Sequence, residues 1–115
     1  MQYETVIDDL VSEVPEFEPT IRKHVEANDS PLPHVLFGDF TRFVVAAWQD
    51  GNVELVGRCL DVLERALAED DPRLHELVAA SFVENVGVWE PGMASFVETW
   101  PPALQSEAER QSRNR

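Results

Sequence analysis

Apolar residues recur at helical spacing along most of the chain. Between residues 3 and 14, Val6, Leu10 and Val14 repeat every four residues and acidic side chains lie opposite them. This spacing indicates an amphipathic helix, because side chains four residues apart share one face. Residues 34–48 are apolar around nearly the whole circumference, which favours a helix in the middle of the fold. A buried strand is the competing interpretation, but the pattern is too long for one strand.

Turn and capping residues divide these segments into separate helices. Gly51 can end one helix and Asn52 can cap the next, which runs from Val53 to Ala68. Its apolar stripe consists of Val56, Leu60, Leu63 and Leu67. Asp71 and the proline that follows it open a further helix. The predicted helices cover residues 3–14, 19–27, 34–48, 53–68, 72–86 and 91–100.

No segment shows the alternation of a half-buried strand, so the fold class predicted is all-α. We expect five to six helices in stacked antiparallel hairpins, arranged as a short solenoid-like stack or as an irregular bundle. Residues 1–102 form one predicted domain. Residues 103–115 contain Leu104 as their single large apolar residue, which predicts a disordered or frayed helical tail.

The charge of the chain narrows the choice of partner. Its 115 residues include 22 acidic and 9 basic ones, a net charge of −13 that would repel a nucleic-acid backbone. The acidity is spread over the predicted helices and would speed encounter with a basic protein. The alternative is that it serves solubility alone.

Location and chemistry are constrained mainly by what the sequence lacks. Cys59 is the single cysteine, the first residues do not resemble a signal peptide, and no apolar run has the length of a membrane span. We therefore expect a cytoplasmic protein. His24, His34 and His75 fall in different predicted helices, and the glycines are scattered, so we predict no metal, no cofactor and no catalytic site.

Two groups of residues are candidates for contact with a partner. Asp39 and Arg42 are three positions apart and lie among apolar residues. They form either an ion pair that faces water or part of a groove that contacts a ligand. Trp48, Trp89 and Trp100 lie near predicted helix ends, where they either cap the core or form an exposed adhesive patch.

The segment Leu32-Pro33-His34-Val35-Leu36-Phe37-Gly38-Asp39, with the later turn and the helix over residues 53–68, resembles a family of small bacterial proteins of unknown function. In that family a similar Pro-His-x-x-Phe-Gly-Asp segment opens a central helix. The resemblance covers about residues 1–100 and implies a small helical domain, of a type suspected to act as an immunity or accessory protein of toxin systems. It brings no catalytic residues. It draws attention to His34, Gly38 and Asp39, and glycine inside a helix suggests close packing or a kink.

These observations favour a non-catalytic binding protein that engages a basic protein partner through an acidic surface. A homodimer associating through the aromatic C-terminal helices is the second hypothesis. A small enzyme that uses carboxylates with His34 in a cleft is the third.

Overall fold

Helices account for nearly all of the chain in the computed structural model, which describes residues 1–114. The helices are α1 (Val6–Glu13), α2 (Glu18–Asn28), α3 (Pro33–Gln49), α4 (Val53–Ala68), α5 (Pro72–Val78), α6 (Glu84–Val86), α7 (Ala94–Val97) and α8 (Pro102–Arg113). A π-helical turn over Ala79–Val83 joins α5 and α6 into one continuous rod. Residues 1–114 contain no strand, which confirms the predicted all-α class. With the rod counted once there are seven helices, against the five to six predicted.

The turn between α3 and α4 forms as its residues predict. Gly51 adopts the left-handed conformation with φ 75°, and the Asn52 side chain accepts a hydrogen bond from the backbone N–H of Leu55 at 3.3 Å. These two residues end one helix and begin the next, and the Asn52 side chain pairs one of the first amides of α4. The bounds of α4 match the prediction, and Val56, Leu60 and Leu63 of its apolar stripe are buried.

Helix α3 occupies the middle of the fold because its phenylalanines meet rings from several other elements. The ring of Phe40, which is completely buried, lies 5.1 Å from that of Phe17 and 6.5 Å from that of Phe82. Contacts of this kind bury large apolar areas and prefer edge-on or tilted geometry. Helix α3 is buried less completely than its apolar sequence suggested, since the side chains of Val35 and Arg42 are exposed.

The helices form an irregular bundle. Helix α4 packs against α1, α3, α5 and α8, so both ends of the chain reach it across intervening helices. In a solenoid each repeat would contact only its neighbours. Over residues 1–114 no helix is both long enough and apolar enough to cross a membrane.

The C-terminal segment differs from the prediction of a disordered or frayed tail. Helix α8 packs on α4, with Leu104 and Ala108 buried. The carboxylate of Glu64 accepts the backbone N–H groups of Ala103 and Leu104 at 2.8 and 3.0 Å, which satisfies amides that have no partner within the helix. This cap comes from a residue 39 positions earlier, so no local signal in the tail announces it. The domain therefore continues past residue 102.

Candidate functional site

The structure distributes the predicted contact residues over three places. His34 lies at the start of α3 and faces the π turn, whereas Asp39 and Arg42 line a groove between α2 and α3. Trp48 lies near the opposite end of α3, and both Trp48 and Trp100 pack on Phe96. The sequence segment that contains His34, Asp39 and Arg42 thus contributes to two faces of one helix.

The tryptophans do not form one exposed patch. Trp100 is only 4% exposed, and its ring lies 5.5 Å from that of Phe82 and 5.4 Å from that of Phe96. Of the two alternatives for Trp100, capping the core or forming an exposed patch, its packing against these rings favours the first. Trp48 stacks on Phe96 at 5.1 Å and is partly buried, as is Trp89.

Asp39 and Arg42 form the ion pair that their spacing suggested. Arg42 is largely exposed and Asp39 is about one-quarter exposed. A pair of this exposure contributes little to stability, because its charges remain solvated. Its effect is to hold the Arg42 guanidinium beside the groove.

His34 is fixed by a polar network that the sequence did not reveal. Its Nδ1 atom lies 2.6 Å from the hydroxyl oxygen of Ser81, which sits in the π turn and is buried. The backbone carbonyl of Ser81 accepts hydrogen bonds from the Thr41 hydroxyl at 2.9 Å and from the Asn85 side-chain amide at 2.8 Å. The network leaves Nε2 of His34 as the ring nitrogen that can meet a ligand. π turns of this kind occur frequently at functional sites.

Gly38, which the motif singled out, is not required by close packing. A Cβ atom placed on Gly38 would lie 3.7 Å from Asn85 Nδ2, an ordinary van der Waals distance. The backbone of Gly38 is not in the left-handed region. The expectation of a tight helix contact at this glycine is therefore not met.

His34 opens onto a cleft that we call the His34 cleft. It has a volume of about 290 Å³ and is lined by Tyr3, His34, Pro72, Arg73 and Glu76. The guanidinium of Arg73 lies 4.9 Å above the ring of Tyr3, in cation–π geometry. Tyr3 and Arg73 thereby close one side of the cleft.

Arg73 is also neutralised by two carboxylates. It contacts Glu4 at 2.6 Å and Asp71 at 3.5 Å. The hydrogen bond from Arg73 lowers the pKa of Glu4 below its ordinary value. The arginine at this cleft therefore adds no excess positive charge to the surface.

Two exposed apolar side chains lie near His34 in the sequence. Leu32 and Val35, on either side of His34 in the sequence, are 42% and 53% exposed. Within residues 1–114 one other large apolar side chain, that of Val53, is as open to water. Leu32 and Val35 make the start of α3 an exposed apolar surface of the kind that binding sites use.

Carboxylates line a hollow next to the His34 cleft. An adjoining hollow of about 370 Å³ shares Pro72 and Arg73 with the His34 cleft. Its wall carries four carboxylates, those of Glu4, Glu69, Asp70 and Asp71. Glu69 pairs with the N-terminal ammonium at 3.4 Å, and Asp70 is exposed. The cleft is thus apolar at its centre and acidic at its rim.

The site offers few groups suited to covalent or metal chemistry. Ser81 is close to a histidine but only 6% exposed, so its hydroxyl is shielded from a substrate in the cleft. Burial raises the pKa of the Cys59 thiol to about 12, which keeps it protonated at neutral pH. In the part of the chain that the structure describes, no three His, Cys, Asp or Glu side chains converge in a way that could hold a metal ion.

Most residues of the His34 cleft could not be found from the sequence. Tyr3, Arg73 and Ser81 all lie far from His34 in the chain and carry no motif. The signal that did point to the site was the segment around His34. The exposure of Val35 was hidden by the apolar character of its neighbours.

Comparison with known proteins places this architecture in a family without assigning it a role. No curated protein and no solved structure matches the chain. Residues 7–114 match the model of a family described as a domain of unknown function, DUF7674. The matched range begins in α1 and includes α8, so it contains the whole helical bundle apart from the first turn. The chain therefore belongs to the DUF7674 family.

Proposed function

We propose that this domain is a non-catalytic binding protein that engages a basic protein partner through the His34 cleft and its acidic rim. The observation that carries the proposal is that exposed apolar residues, Leu32 and Val35, flank His34 in the sequence, while four carboxylates line the hollow next to the His34 cleft. Interfaces bury apolar side chains at their centre and place polar groups at the edge. A partner that presents an apolar side chain flanked by lysine or arginine is complementary to this surface.

The arrangement of the basic residues supports a basic partner. Six arginines lie in ion pairs with carboxylates of the same chain: Arg22, Arg42, Arg58, Arg65, Arg73 and Arg110. Carboxylates outnumber them, and the net charge is −13. A basic partner would replace the counterions that this charge holds, so association should be fast and salt-dependent.

The role of a bacterial immunity or accessory protein of a toxin system agrees with this proposal. Such a protein covers a basic surface of its toxin and needs no catalytic group of its own. The small size of the chain, its charge and the resemblance of the segment around His34 support this assignment. Cytoplasmic location, which a neutralising protein would need, remains part of the same proposal.

A pair of exposed valines allows a matched test. Val35 lies in the first turn of α3 and Val53 in the first turn of α4, separated by the length of α3, on the order of 20 Å. Both are exposed, so Val35→Lys and Val53→Lys introduce the same charge without disturbing the core. Proteins retained from a host lysate by the wild-type chain would be identified by mass spectrometry. We expect a basic partner that is released by high salt, retained by Val53→Lys and lost by Val35→Lys.

Equal retention by both lysine variants would place the interface away from the His34 cleft. An acidic partner, or one insensitive to salt, would contradict the charge argument. Homodimerisation through the aromatic C-terminal helices remains a second prediction, although Phe96 and Trp100 are buried. Sedimentation velocity at micromolar concentration tests it, and a monomer would reject it.

A further inference from the structure

The groove between α2 and α3 differs in charge from the rest of the molecule. It has a volume of about 600 Å³, within the range of pockets that hold small ligands. Lys23, the one lysine of the sequence, lines it on the α2 side, and Arg42 lines it on the α3 side. Asp39 is the single carboxylate among its lining residues. The groove therefore carries a net charge of +1 in a chain whose net charge is −13.

The groove keeps its positive charge although the chain as a whole is acidic. At physiological ionic strength charges more than about 8 Å apart are largely screened, so a ligand in the groove experiences mainly the side chains that line it. Asp39 forms an ion pair with Arg42, and this pair positions the guanidinium. The positive charge of Lys23 is not neutralised by that pair. An anion can be met by Lys23 and by the remaining donors of Arg42.

The floor of the groove is aromatic and held in place. The ring of Phe43 lies 5.3 Å from that of Phe17, edge-on, and stacks on that of Phe40 at 6.3 Å. Phe43 is partly buried, so part of its ring remains open to the groove. A flat apolar group resting there would gain contact area without requiring the core to move.

His24 forms part of one wall of the groove. It is buried, and its Nε2 atom accepts a hydrogen bond from the backbone N–H of Leu32 at 3.0 Å. Its Nδ1 atom lies 3.5 Å from the side-chain nitrogen of Asn28, which also lines the groove. The bond from Leu32 ties the loop after α2 to the helix. The groove is therefore preformed.

We propose that this groove binds small aromatic carboxylates, with the carboxylate between Lys23 and Arg42 and the ring on Phe43. This site is separate from the His34 cleft and shares no lining residue with it. A ligand there is small enough to lie between the two helices, whereas the protein partner proposed above contacts the exposed face. Either site can be occupied without the other.

Benzoate is the probe for this site, with acetate and benzylammonium as controls for ring and charge. Binding is followed by NMR chemical-shift changes in the isotopically labelled chain. We expect benzoate to bind in the millimolar range and to shift the amide signals of residues 20–28 and 39–43. Acetate should bind at least tenfold more weakly, and benzylammonium should not shift these signals.

Two neighbouring cations provide matched variants. Lys23→Met removes a charge from the groove, whereas Arg22→Met removes one from a residue that pairs with Glu18 and does not line the groove. We expect Lys23→Met to weaken benzoate binding about tenfold and Arg22→Met to leave it within twofold. Circular dichroism and thermal unfolding verify that both variants fold. The proposal is overturned if benzoate shifts no groove signal, if acetate binds as well, or if both variants weaken binding equally.

Discussion

The two faces of α3 carry opposite local charge although they belong to one helix. On one face His34 opens onto a cleft where Arg73 meets two carboxylates and the rim is acidic. On the other face Arg42 meets one carboxylate and stands across a groove from Lys23. The sign of each surface thus follows from the local balance of carboxylates and basic side chains, which is negative around Arg73 and positive where Lys23 joins the Asp39–Arg42 pair.

The largest expected effect comes from the ring that both faces share. Phe40 is completely buried between Phe17 and Phe82. Replacing it with alanine leaves a cavity, so Phe40→Ala should lower the free energy of unfolding by about 3–5 kcal/mol. Urea denaturation followed by circular dichroism measures the loss. Val53→Ala, at an exposed site, should change it by less than about 0.5 kcal/mol.

Two threonines, one in the polar network behind His34 and one in the groove, allow the contribution of that network to stability to be measured. The Thr41 hydroxyl is buried and lies 2.9 Å from the Ser81 carbonyl oxygen and 2.7 Å from that of Phe37. Thr41→Val keeps the shape but removes the donor, so stability should fall by about 1–2 kcal/mol. Thr20→Val, in the groove, is the matched variant. A similar loss of stability in both variants would mean that the network behind His34 does not stabilise the fold more than the threonine in the groove does.

Gly38 offers an effect of the opposite sign. A Cβ atom there meets Asn85 at an ordinary contact distance, and alanine restricts the unfolded chain more than glycine does. Gly38→Ala should therefore raise the free energy of unfolding by about 0.5–1 kcal/mol. Thermal unfolding provides the measurement. Destabilisation would show that the helix needs a closer approach at this position than the structure has.

The smallest effect concerns protonation at the acidic rim. Because Arg73 lowers the pKa of Glu4, the Glu4–Arg73 contact is fully formed above the ordinary value near 4.5 and is lost as pH falls through the lowered pKa. Arg73→Met should return the pKa of Glu4 toward 4.5, as measured by NMR titration of its side-chain carboxyl. Glu16 is the internal control, since hydrogen bonds from Arg58 lower its pKa to about 2. A shift at Glu16 of equal size would indicate a general structural change.

The fold was more predictable from the sequence than the site was. The stripe and turn residues of α4 are local, so both of its ends could be predicted. Helix α8 could not, because its first amides are capped by Glu64 and its stripe has one large apolar residue, Leu104. The Asp39–Arg42 pair follows from spacing within one helix. The partners of His34 come from segments that are distant in the chain, and residue spacing within one helix does not predict how such segments pack together.

The π turn at Ala79–Val83 also sets the rotational phase of the rod in which it lies. Each residue of a helix turns the chain by about 100°, so one residue more or fewer redirects every side chain beyond it. The rod contacts α4 through α5, whereas the π turn packs on α3 and places Phe82 beside Phe40 and Trp100. Deleting one residue from this turn would rotate the side chains that follow it, including the buried Val86. The number of residues in the rod therefore matters as well as their identity.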